Sequence, residues 1–507
     1  MHSVPHDNPY MNSSRIYKLA FWTTVTLFIV FIMNSYPMMK TRFDIWYHLG
    51  YIDDYVYDPN VLHGRSNWYK TWAHILRLLE TRDISTYAVI IHRTQFLISC
   101  FSIYLSAKFL LPALLHKTEQ NKRTSAENKL WVSSFALSSM MVWLTVIGTV
   151  STFQQAWIMW YSVNYQITLP FLFLAISLLI NAVATQQSHR LVFVKIAFSL
   201  FLLTLVLFWH AGELVYLFVY LLTALFLYAN KQNIKKIFAI LLLLLIVILI
   251  ASQFYNDRIP EIFTLIKTGQ GGKIAGLIHE YGQYNIEGGN RFAANWNALY
   301  AICVVSAIPV LFFSFYDKSL LNTKSLYIVL ASLIYCFVPT FKLSSGIASL
   351  FYVAPIVNRF YFASMLFALP SLLAYLALNK STKFNKPIYL LILIAGLMVL
   401  TAAYSRYVND SGTYFQNIHS IRNSLKPEKV GIDIPAAEIL SIKAQIDEAN
   451  MKYKDEDIMF CANHDKSHII QYVYRQKNIL FDRFIPHEIA DCKSNPKAVG
   501  KKIVYID

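Results

Sequence analysis

Leu19-Ala-Phe-Trp-Thr-Thr-Val-Thr-Leu-Phe-Ile-Val-Phe-Ile-Met-Asn-Ser-Tyr-Pro37 runs directly into Met38-Met-Lys-Thr-Arg-Phe-Asp-Ile-Trp-Tyr-His-Leu-Gly50. The first piece has the length of a membrane span, for which about 20 mostly apolar residues suffice. No small-residue cleavage site follows it, so it reads as a retained anchor rather than a signal peptide. The second piece sets Lys40, Arg42, Asp44 and His48 among aromatic residues immediately behind that anchor. A charged cluster so placed calls for a function, or for a short helix lying at the bilayer surface.

The rest of the chain repeats the apolar pattern. Of 507 residues, 56% are hydrophobic and only 15% are charged, which is too apolar for a string of soluble domains. About eleven runs meet the spanning criterion. They cover residues 19–37, 87–114, 131–150, 167–185, 191–209, 213–229, 236–254, 296–315, 325–341, 359–378 and 387–404. The expected fold class is therefore mainly α: a polytopic membrane protein with about 11 transmembrane helices. A small C-terminal extracytoplasmic α/β domain follows, giving a transmembrane domain over 1–404 and a tail domain over 405–507.

The formal charge of +16 would suggest a nucleic-acid partner in a soluble protein. In this chain the Lys and Arg residues fall largely in every second short loop: Arg15 and Lys18, Lys117 to Arg123, Arg190, Lys231 to Lys236, Lys318 and Lys324, Lys380 to Lys386. That alternation sets topology, with the N-terminus cytoplasmic and the C-terminus outside, as in a bacterial inner-membrane protein. Nucleic acid is not an expected partner; membrane lipid is. The long loop 38–85 carries Lys40, Arg42, Arg65, Lys70, Arg77 and Arg82 against the trend, balanced by Asp44, Asp53, Asp54, Asp58, Glu80 and Asp83. The rule is weakest for such long loops. The outer face then receives the polar segments 38–85, 151–165, 255–295, 342–358 and the tail.

Within the first outer loop, Trp72, Ile75, Leu76 and Leu79 recur at helical spacing, which predicts an interfacial amphipathic helix over Tyr69 to Leu79. In the tail, Val430 to Ile434, Asp457 to Cys461, Ile479 to Phe481 and Lys502 to Ile506 read as strands. Ile439, Ile442 and Ile446 mark one face of a helix that starts near Pro435 and ends near Asn450. The tail has no Gly-rich phosphate loop, nucleophile elbow or metal spacing, so a supporting or acceptor-binding role is expected of it. Of the five cysteines, Cys100, Cys303 and Cys336 lie in apolar runs. Cys461 and Cys492 share a polar segment, where they either pair in an oxidising compartment or remain two thiols.

Several groups are able to carry chemistry, and each has a plainer use. Asp44 and His48 stand one helical turn apart. A partly desolvated carboxylate at this position is able to take a proton from a hydroxyl; it is equally able to cap a short helix or to pair with Arg42. Arg359 in Ala354-Pro-Ile-Val-Asn-Arg-Phe-Tyr361 and Arg291 behind Gly288-Gly289 suit a phosphate through the bidentate guanidinium fork. A snorkelling helix end and a flexible loop are the alternatives. His210 and Glu213 share a tight outer turn, and Arg93 with His92 sits about two turns into the second span, where ionisable groups are costly. Trp157 and Tyr161 suit stacking on sugar rings or an interfacial aromatic belt.

An Asp soon after the first span, a long first outer loop with an amphipathic stretch, about eleven spans and an extracytoplasmic tail together resemble the GT-C superfamily of integral membrane glycosyltransferases. Phe43-Asp-Ile-Trp-Tyr-His-Leu-Gly-Tyr-Ile52 looks like the Asp-containing first-loop segment of bacterial members. The resemblance implies an inverting glycosyltransferase that moves a hexosyl or pentosyl group from a polyprenyl-phosphate donor to a glycan, lipid-linked glycan or protein acceptor outside the membrane. It makes Asp44 the general base, with Arg359, Arg291 and Arg93 for the donor phosphate and His48, His210, Glu213, Trp157 and Tyr161 around the substrate. There is no Trp-Trp-Asp motif and no Glu after Asp44. Protein N-glycosylation and protein O-mannosylation are thereby disfavoured. No cofactor is expected; a divalent metal is neither required nor excluded. Two other readings stand beside this one. An O-antigen ligase or polymerase would rely on the loop 255–295, and a lipid or glycan transporter would show duplicated halves or broken midplane helices.

Overall fold

The computed structural model describes residues 9–34, 52, 55–56, 67–80, 84–116, 125–146, 165–185, 188–210, 214, 216–217, 219–220, 223, 258–287, 298–316, 320–338, 341–351, 364–379, 386–408, 436–454, 456–462, 479–480 and 500–506. They are mainly helical and include one small sheet. The chain divides into two units. Unit 1 comprises Met1–Met33, Gln95–Ile158 and Asn164–Ser420; unit 2 comprises Asn34–Thr94, Met159–Val163 and Ile421–Asp507.

In chain order the first helices are α1 (Pro9–Asn34), α2 (Asn67–Leu78), α3 (Ile84–Leu114), α4 (Ser125–Val146), α5 (Tyr165–Ala184) and α6 (His189–His210). Then come α7 (Arg258–Lys267), α8 (Gly271–Glu287), α9 (Ala298–Tyr316), α10 (Thr323–Phe337), α11 (Lys342–Phe351), α12 (Leu369–Asn379), α13 (Lys386–Val408) and α14 (Ala436–Lys452). Among the described residues, three helical stretches are long and apolar enough to cross a membrane: Val89–Leu114, Ile167–Ala184 and His189–His210. Ile302–Phe315, Ser325–Tyr335, Leu366–Asn379 and Lys386–Leu397 are apolar but shorter. The predicted span 236–254 lies outside the described residues.

α6 is apolar on nearly every side. Phe193, Val194, Leu200, Phe201 and Phe208 are exposed while Leu202 and Val206 are buried. A helix that is hydrophobic all round needs either a large core or a lipid surround. Thr24, Ser306 and Ser332 donate their hydroxyls to the carbonyls of Ala20, Ile302 and Ile328, one turn back.

Polar contacts in unit 1 sort the helix ends into two sets. At one end, Leu115 bridges Leu321, His116 N donates to Leu320 O, and the Tyr17 hydroxyl donates to Leu130 O at 3.1 Å. At this end too, Asn181 Nδ2 donates to Phe109 O at 2.6 Å and buried Lys195 donates to Asn181 Oδ1. The Lys195 ammonium also lies 5.5 Å from the Phe109 ring centre. Nearby, the Ser106 hydroxyl contacts Ser177 Oγ at 2.7 Å and Phe173 O at 3.1 Å. Ends of α1, α3, α4, α5, α6 and α10 thus meet at the Lys-rich loops, as an up-and-down chain path requires.

In unit 2, α2 forms where an amphipathic helix is predicted. Trp68, Tyr69, Trp72, Ala73 and Leu76 are buried, whereas Ile75 and Leu79 of the predicted apolar stripe are exposed. The two aromatic residues of the first turn decide this, because their rings bury more area than Ile75 or Leu79 would. The Arg77 guanidinium donates to the carbonyls of Tyr55 and, at 3.1 Å, Val56. It fixes a part of the first loop whose Ile52 and Tyr55 are themselves buried.

The tail follows its sequence pattern closely. β1 (Ile458–Ala462), β2 (Ile479–Leu480) and β3 (Lys502–Ile506) form a parallel sheet in the order β2-β1-β3. Parallel neighbours need crossover connections. Ile442, Ile446 and Ala449 of α14 pack on Ile458, Phe460 and Ile506, so the predicted Ile stripe is the core face. The predicted strand 430–434 lies outside the described residues. Cys461, buried in β1, is disulfide-bonded; Cys492, with which pairing is one of two readings, lies outside the described residues.

Candidate functional site

The strongest departure from regular helix in unit 1 occurs inside the predicted span 359–378. Ser364 and Met365 are not helical, a 3-10 turn occupies Leu366–Ala368, and α12 begins only at Leu369. Within the described residues of that predicted span, helix therefore begins at Leu366 rather than earlier. Pro370 is the physical reason: it has no N–H to give the Leu366 carbonyl, and its ring crowds that carbonyl.

The non-helical backbone at Met365 has a buried N–H donor, and two other segments meet it. Met365 N donates to the Ser332 hydroxyl at 3.0 Å and to the Tyr220 hydroxyl at 3.2 Å, and these two hydroxyls lie 3.0 Å apart. One turn along α10, the Tyr335 hydroxyl donates to the Tyr216 carbonyl. The Tyr335 ring meets Tyr216 edge-on at 6.0 Å and Tyr220 at 5.5 Å. All four of these side chains are buried. The start of α12 also brings the positive end of a helix dipole to this place.

Of the residues expected at the site, Arg93 and His210 are described. Arg93 lies nine residues into α3 and is half-buried, next to fully buried His92 and two residues before fully buried Gln95. His210 is the last residue of α6 and is half-buried. Arg93 belongs to unit 2 and His210 to unit 1. Asp44, His48, Trp157, Tyr161, Glu213, Arg291 and Arg359 lie outside the described residues. Among the described residues, no three His, Cys, Asp or Glu side chains gather as a metal site would.

The Tyr220, Ser332 and Met365 cluster is absent from the sequence expectations, although signals for it exist. Tyr216 and Tyr220 are spaced i, i+4 in an apolar run, Ser332 and Tyr335 i, i+3 in another, so each pair shares a helix face. Ser364 and Pro370 mark the break. Comparison with protein-family models and with curated proteins returns no match for this chain.

Proposed function

We propose that the protein is an integral membrane glycosyltransferase of GT-C type, with about eleven spans and the N-terminus in the cytoplasm. It transfers a sugar with inversion from a polyprenyl-phosphate donor to an acceptor on the outer face. Asp44 accepts the proton of the acceptor hydroxyl as its oxygen attacks the anomeric carbon. The bond from that carbon to the lipid phosphate oxygen breaks, and the phosphate leaves with the electron pair. Arg359, Arg291 and Arg93 are the cations for that leaving charge. His48, His210, Glu213, Trp157 and Tyr161 shape the sugar and acceptor pockets.

The observation that carries this reading is the non-helical backbone at Ser364–Met365, just before the 3-10 turn that leads into α12. It stands five residues after Arg359 in sequence and is held by hydroxyls from the neighbouring apolar segments. Helix starts suit a pocket for an anionic head group. Three further observations support the reading. Helices have the length and composition of spans. The first loop is built around α2 and Arg77, so it is a folded part rather than a plain linker. Cys461 is disulfide-bonded, which suits a tail in an oxidising compartment.

The test uses the full chain in proteoliposomes with a panel of radiolabelled polyprenyl-phosphate hexoses and pentoses. Asp44→Asn is expected to abolish transfer while retaining donor binding; general-base removal costs about 10²–10⁴-fold. Full transfer by Asp44→Asn, together with its loss in His279→Ala, would move the chemistry to the 255–295 loop and favour a ligase or polymerase.

A further inference from the structure

The outer segments 255–295 and 342–358, expected to be polar loops, contain three helices that pack on one another: α7, α8 and α11. α7 ends in a helix stop with Gly269 at φ 69°, and Gln270 N donates to Leu265 O at 2.8 Å. Glycine relieves the steric cost of that conformation. α8 and α11 then cross backbone against backbone. A Cβ at Gly282 would strike the carbonyl of Lys342, with the carbonyl carbon at 2.9 Å. A Cβ at Gly346 would strike the carbonyl of Ile278, again with the carbon at 2.9 Å. Each helix supplies one glycine to the crossing, so neither accepts even alanine without moving apart.

This assembly turns apolar residues outward. Phe263 and Ile266 of α7 are spaced i, i+3; Leu343 and Ile347 of α11 are spaced i, i+4; Phe341 precedes them. These five are 45%, 59%, 67%, 43% and 59% exposed, respectively. Lys267 follows Ile266, Lys342 precedes Leu343, and Lys273 lies in the first turn of α8. The helices are too short to cross a bilayer, since ten residues rise only about 15 Å and seventeen about 26 Å. Lys342, the first residue of α11, comes five residues after Phe337, the last of apolar α10, so α11 starts within about 18 Å of where α10 ends.

We propose that α7, α8 and α11 form a glycine-locked platform seated in the head-group layer of the bilayer. Its Phe, Leu and Ile stripes enter the acyl boundary, and Lys267, Lys273 and Lys342 meet lipid phosphates. The proposal rests on the membrane character of the neighbouring helices and not on the glycosyltransferase reading. Lipid is the occupant because apolar stripes flanked by lysines complement acyl chains below a phosphate layer. The short link from α10 also ties α11 to the bilayer boundary.

The experiment places a nitroxide at Ile266→Cys or Leu343→Cys in the full chain, in vesicles of phosphatidylglycerol and phosphatidylcholine. Collisions with oxygen and with a water-soluble nickel chelate report depth. Phe201→Cys on α6 serves as the lipid reference and Leu440→Cys, exposed on α14, as the aqueous one. The wild-type chain, with Cys100 and Cys303 buried, sets the background. The platform labels are expected to favour oxygen severalfold over the Leu440 label and to fall between the references. Adding Gly346→Ala is expected to shift the Leu343 label toward water and leave Phe201 unchanged. Nickel access equal to that at Leu440 would overturn the proposal without need of the glycine variant. Protection that appears only at high protein-to-lipid ratio would assign the face to contacts between copies and overturn it too.

Discussion

Unit 1 buries polar groups at both sets of helix ends, and it does so in two ways. Around Lys195 and Asn181 the helices α3, α5 and α6 are unbroken, and the polar atoms bind one helix to the next. Around Met365 the polar atoms serve non-helical backbone just before a helix begins, and the hydroxyls of Tyr220 and Ser332 accept from its N–H. The first arrangement holds a charge in place; the second holds open an irregular backbone. A charge used as glue is a structural device near the Lys-rich loops, whereas a maintained break is where a binding site is expected.

The comparison is tested most severely at Asn181. Asn181→Leu removes an acceptor of the Lys195 ammonium, and a hydrogen bond to a charged group contributes about 1.5–3 kcal/mol. Thermal unfolding of the full chain in detergent is expected to show that loss. The double variant Asn181→Leu, Lys195→Met removes the charge with its partner and is expected to recover most of the stability. If the double variant is no better than the single, Lys195 is not held by Asn181 and the glue reading of this end fails.

The Met365 cluster has a different signature, because Met365 N has two acceptors. Tyr220→Phe or Ser332→Ala alone leaves one acceptor in place, so each is expected to change stability by less than about 1 kcal/mol. Together they strand a buried N–H, which costs about 1–3 kcal/mol. The cycle is read by unfolding and, for the proposed enzyme, by donor binding. Additive effects would mean that the two hydroxyls do not share one task.

How far these features are legible in the sequence depends on the range of the interaction. The tail helix and strands follow from local patterns, because Ile442 and Ile446 repeat on one helix face and β3 is a short apolar strand. The helix α2 is equally plain as a period, yet which face is buried is decided by Trp68 and Tyr69, outside the quartet that defines the pattern. The platform of α7, α8 and α11 escapes notice because its organising residues, Gly282 and Gly346, contribute no side chain to any hydrophobic pattern. Their meaning appears only when two segments distant in sequence cross. The Met365 cluster is intermediate: Pro370 announces a break, but nothing local says that Tyr220 and Ser332 meet it. Asp44, on which the chemical reading turns, lies outside the described residues, so its role rests on the first-loop resemblance and on the activity test.

The smallest expected effect comes from Ser106. Its hydroxyl contacts Ser177 Oγ and the Phe173 carbonyl, joining α3 to α5 without any formal charge. Neutral contacts between apolar helices contribute about 0.6 kcal/mol on average, because the separated helices find other partners. Ser106→Ala is therefore expected to lower the unfolding midpoint only slightly, well short of Asn181→Leu in the same assay. This small value separates the charge at Lys195 from polarity in general as the source of the large effect. If Ser106→Ala proved as damaging as Asn181→Leu, close packing of α3 against α5 would be the common cause, and Lys195 would lose its special place in the contrast between the two ends.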